Sequence, residues 1–179
     1  MAKVLKADLT VDGIQGLIDE LTRYRDDLDR KVNLLVKRLA ESGYHNVGRR
    51  VSSILPFYRV NSEDGSDVDV SVDFEDGTDL VTATITMSGG NAIIIEFGSG
   101  VTFNAPIGAS KHPKGVEMGY TIGSYPGQTQ ADNPFGWFFY DQYGEKQHTY
   151  GTPTFAPLWK TYLDMADEVK TLAKEIFNG

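Results

Sequence analysis

The 179-residue chain has no cysteine, which excludes a disulfide framework, a thiolate metal site and a cysteine nucleophile. The absence fits folding in a reducing cytoplasm. Long apolar runs are also missing. The longest aliphatic one, Ala92 to Ile95, is far below the roughly 20 residues that a membrane span needs. The first residues, Met1 to Asp8, lack an apolar core of signal-peptide length. The expectation is a soluble chain, not exported by the usual route and without membrane contact. Basic charge is scarce as well, with 17 Lys and Arg against 25 Asp and Glu and a net charge of −8. A protein that grips DNA normally presents a basic face, because neutralised phosphates and released counterions supply its affinity. The balance argues against that role, but an acidic wall would let DNA pass without sticking.

What is present suffices for one domain and is too short for two comfortable ones. A chain of this length buries roughly 70% of the surface its unfolded form exposes, so it needs no covalent staple. Charge is unevenly placed. Residues 61–80 hold eight acids and no base, whereas residues 21–50 hold eight bases against four acids. Two solvated faces would explain this. So would a head-to-tail contact in which the acidic edge of one subunit (Asp67, Asp69, Asp73) meets a neighbour's basic helix (Arg38, Arg49, Arg50), a contact that closes into a ring when the rotation allows.

The first long element reads as helix: Ile14, Leu17, Ile18, Leu21, Tyr24, Leu28, Val32, Leu35 and Leu39 recur at steps of three and four. Thr10 or Asp12 offers a cap and Ser42-Gly43 a stop, with a second helical stretch from about His45 to Leu55, before Pro56. The stripe is narrow and the helix long for a domain of this size. Val68, Val70, Val72 and Phe74 then alternate with acids and serine, and Val81, Ala83, Ile85 and Met87 alternate with Thr and Ser. Around Asp76-Gly77, a strong turn signal, this predicts an antiparallel hairpin with one wet face. The run Asn91 to Phe97 is too short for periodicity to decide. Residues 101–148 form a long loop or insertion rich in Gly, Pro and aromatics. A last helix begins at Pro157, well suited to a first helical position, and carries a Leu158, Tyr162, Met165, Val169, Leu172, Ile176 stripe. The order helix, strands, helix gives an α+β fold in one domain spanning residues 1–179: a helical region 10–55, a hairpin and following segment 66–100, the insertion 101–148 and a terminal helix 156–178 packed on the sheet.

Chemical motifs are weak. Asp67-Val68-Asp69 after Gly65-Ser66 suggests a two-metal nucleotidyltransferase strand, but there the Gly-Ser pair lies about ten residues upstream rather than adjacent. Alternating Asp on a solvent-facing strand is the simpler account. Asp64 to Asp67 lacks the calcium-loop pattern, and His45, His112 and His148 have no zinc spacing. His45 would cap the long helix. Gly98-Ser99-Gly100 lacks the dinucleotide pattern. Glu96 has no acid–base partner nearby in sequence, although a spatial one is open. No catalytic residue, metal or cofactor is expected, and no enzyme.

Several segments together resemble one family. Ser88 to Val101, with Glu96-Phe97-Gly98-Ser99-Gly100, looks like the Glu-Phe/Tyr-Gly-Thr/Ser/Ala-Gly segment of bacteriophage neck and tail-completion proteins of the tail-component type, which also follows a strand ending in a Gly turn. Ile122 to Gly127 and Trp137-Phe138-Phe139-Tyr140 are similar to an insertion in members from Gram-positive hosts. Gly151-Thr152-Pro153-Thr154-Phe155-Ala156-Pro157-Leu158 is similar to the Gly-x-Pro-x-x-x-Pro-Leu/Met stretch before their C-terminal helix. The order covers nearly the whole chain. It departs where many members carry Thr-Gly-x-Leu, since Val47 to Ile54 reads otherwise.

The resemblance implies a structural virion protein at the head–tail junction of a long-tailed phage, assembled in the host cytoplasm. It implies a homo-oligomeric ring, taken as sixfold, between head-closure and tail-terminator rings and near the tail tube, with DNA only passing through. Tail-terminator and head-closure proteins are the alternatives within the virion. Glu96 is then expected to hold a backbone or basic partner at the loop base or to lie at the subunit contact, unless the segment is only a fold-specific turn. Phe135, Trp137, Phe138 and Tyr140 would dock a neighbouring ring, since aromatics anchor interfaces, or would form a local core under the loop.

Overall fold

The three–four spacing after Thr10 produces a helix longer than the sequence pattern suggests. A computed structural model of the chain describes residues 8, 10–58, 68–77, 81–98, 112–115, 117–118, 133, 135–140, 143–149 and 151–178. Helix α1 runs from Val11 to Tyr58. Thr10 caps it: its Oγ1 accepts the Gly13 N–H at 3.1 Å and its carbonyl accepts the Ile14 N–H at 3.0 Å. At 1.5 Å per residue, α1 is about 72 Å long, well beyond the width of a globule whose expected radius of gyration is about 16 Å.

The stop expected at Ser42-Gly43 does not occur. Gly43 is buried inside the helix, and a Cβ there would lie 2.5 Å from Met165 Sδ and 2.6 Å from Ile85 Cδ1. The glycine marks a close approach of three elements rather than a helix end. His45 is accordingly mid-helix and exposed, its ring 5.4 Å from that of Tyr44, and caps nothing. Pro56 lies in the last turn, where it forfeits one backbone hydrogen bond without breaking the helix.

Strands β1 (Asp69–Asp76) and β2 (Val81–Ser88) form the expected antiparallel hairpin. Its register pairs Val72 with Ile85 and Val70 with Met87 on the half-buried face, and Asp69 with Ser88 and Asp73 with Thr84 on the exposed one. Pairing closes at Asp76 and Val81, so the connection spans Gly77 to Leu80 and not a two-residue Asp-Gly turn. A short helix α2 (Ala92–Phe97) follows.

Inside the expected loop lies a second hairpin, β3 (Trp137–Tyr140) with β4 (Lys146–Thr149), pairing Phe138 with His148 and Tyr140 with Lys146. Four consecutive aromatics show no polar–apolar alternation, which hid the strand. Helix α3 (Pro157–Asn178) closes the fold. It runs antiparallel to the C-terminal half of α1: Ser42 Oγ donates to Glu168 Oε2 at 2.7 Å, whereas eight residues later Arg50 pairs with Asp164 at 2.6 Å. The core face of α1 is Ala40, Gly43, Val47, Val51 and Ile54, all buried. Among the described residues the architecture is α+β, with one long helix, two small antiparallel sheets and a C-terminal helix.

Candidate functional site

Helix α3 begins without a capping side chain. Its N-cap position is Ala156, which holds φ at 50°, a left-handed conformation costly for a residue with a Cβ. The hydroxyl of Thr154, two residues earlier, donates instead to the Phe97 carbonyl at 2.8 Å. The first turn of α3 therefore needs an acceptor from elsewhere. Glu96, in the last turn of α2, provides it. Leu158 N–H donates to Glu96 Oε2 at 2.9 Å and Trp159 N–H to Oε1 at 3.0 Å. A carboxylate at a helix N-terminus also meets the positive end of the helix dipole.

His112 supplies the third donor. Lys114 N–H donates to its Nδ1 at 3.1 Å, so Nε2 carries the ring hydrogen and donates to Glu96 Oε1 at 2.9 Å. Both side chains are almost fully buried, 5% exposed for His112 and 6% for Glu96. The imidazole lies between Phe97, centroids 4.3 Å apart, and Trp159, 5.9 Å away edge-on. Phe155 N–H donates to the Ile95 carbonyl at 3.1 Å and completes the clasp.

Gly98 ends α2 with φ 81° while its N–H bonds the Ile94 carbonyl at 2.7 Å, the conformation for which glycine is suited. Ala92, Ile95 and Phe97 are buried, but Ile93 is half-exposed, so the isoleucine run does not bury as a block. The arrangement can hold three segments in register. Both oxygens of Glu96 are engaged within the chain, which suits holding better than proton transfer.

Sequence reasoning left the spatial partner of Glu96 open and placed His112 only in a loop-rich region. The one available signal was the uncapped start of α3: Phe155-Ala156-Pro157 offers no Ser, Thr, Asp or Asn at the cap. Of the two expectations for Glu96, a backbone or basic partner and a subunit contact, it is the backbone partner that the structure gives, in Leu158 and Trp159 of its own chain. Arg50, also expected at the subunit contact, pairs with Asp164 of its own chain. Arg49 bonds Asn46 one turn away, and Arg49 and Arg38 are exposed on α1. Asp69 and Asp73 lie on the wet face of the first hairpin. Asp67 lies outside the described residues, as do Gly65-Ser66, Ser99-Gly100 and Ile122 to Gly127. Among the described residues, no three His, Asp or Glu side chains converge as metal ligands.

The aromatic hairpin splits its side chains between two faces. Phe138 and Tyr140 point outward with Phe135 nearby, at 60%, 72% and 81% exposure, while Trp137 and Phe139 are half-buried. Across the strands Lys146 Nζ sits 4.3 Å above the Phe138 ring, and His148 meets the same ring edge-on at 4.8 Å. His148 Nε2 also bonds the Phe135 carbonyl at 2.8 Å. The exposed rings are therefore held on a paired backbone and are not packed as a local core. Compared with known protein families, with curated proteins and with solved structures, the chain matches none.

Proposed function

We propose that this chain is a non-enzymatic subunit of a ring in the head–tail neck of a long-tailed phage. The observation that carries the proposal is the junction of Glu96 with Leu158 and Trp159. The Glu-Phe-Gly segment and the Gly-x-Pro-x-x-x-Pro stretch are the two clearest points of resemblance to neck proteins, and they are about 60 residues apart in sequence. They meet here in one buried clasp, which gives both motifs a common structural reason. The clasp fixes where the 98–151 segment leaves and rejoins the body. An outward aromatic face on that segment suits docking onto a neighbouring ring. With Arg50 and Glu96 engaged internally, a subunit contact between basic helix and acidic hairpin falls to Arg38 and Arg49 against Asp69 and Asp73.

Electron microscopy of phage particles assembled without this chain tests the assignment. Capsids lying apart from finished tails are the expected result. The half that lacks a ring would then separate a joining subunit from a tail terminator or head-closure protein. Intact, joined virions would overturn the neck reading and turn attention to magnesium binding at Asp67 and Asp69.

A further inference from the structure

We draw no further inference here: the strongest candidate, the patch of exposed apolar side chains on the N-terminal half of α1 (Ile14, Leu21, Tyr24 and Leu28), carries none, because nothing in the structure shows what covers it.

Discussion

Glu96 is a buried carboxylate whose removal strands several donors at once. Glu96→Ala leaves Leu158 N–H, Trp159 N–H and His112 Nε2–H without an acceptor, and each buried unsatisfied group costs about 1–3 kcal/mol. Relaxation and water access lower the sum, so a loss of about 3–5 kcal/mol is expected, the range for breaking a buried charged network. Glu96→Gln keeps the shape but removes the charge from the start of α3 and turns an NH2 toward a backbone donor. It should cost about 2 kcal/mol, since hydrogen bonds to a charged group are worth roughly 1.5–3 kcal/mol. Urea unfolding checks both, read as a shift in midpoint at constant slope. A Gln variant as stable as the parent would show that the carboxylate charge does not hold the helix.

At the scale of elements, the two glycines in the second half of α1 separate propensity from packing. A Cβ at Gly48 meets nothing within 4 Å, whereas one at Gly43 meets Met165 and Ile85 at under 3 Å. Gly48→Ala should therefore gain most of the helix-propensity difference, about 0.8–1 kcal/mol. Gly43→Ala should gain none of it, because pushing α3 and β2 away costs about 1–3 kcal/mol. Thermal or urea midpoints of the two variants, each compared with the parent, decide the matter. Equal gains would show that Gly43 is not the point where the three elements meet. The same pair explains how far the sequence was legible. Periodicity and alternation predicted α1, the β1–β2 hairpin and α3, because one wet face and one dry face leave a period in the residues. They misplaced the middle of α1, because glycine has the same local signature whether it ends a helix or admits a neighbour. They missed β3, because four aromatics in a row carry no period. They left His112 unpaired, because its partner is 16 residues away and the two are joined only by the fold.

At the scale of the whole molecule, exposed apolar side chains gather at the N-terminal end of α1 and on the aromatic hairpin, among the described residues. The two groups differ in how they are held. The α1 side chains lie on a helix braced by local ion pairs, among them Asp27 with Arg30 and with Lys31. Those partners, Arg30 first, hold the Asp27 carboxyl below the ordinary aspartate range. That contribution is present above the ordinary range and is lost as pH falls through the lower folded-state value. The aromatic rings sit on a hairpin whose strands are only four residues each, and an isolated two-stranded hairpin is marginal in water. The Lys146 and His148 contacts hold the Phe138 ring on the outer face of the hairpin.

Because Phe138 and Tyr140 are exposed, replacing both by Ser should cost the free chain only about 1–2 kcal/mol in all, most of it from the lost Lys146 and His148 contacts to Phe138. If they anchor a neighbouring ring, each loss should weaken docking by about 2 kcal/mol, the scale of an interface hot spot, or roughly 30-fold. Yield of joined particles, measured beside the unfolding midpoint of the purified variant, separates the two effects. A stable double variant that fails to join heads to tails is the expected outcome. Parental yield from the same variant would remove this face from the docking surface.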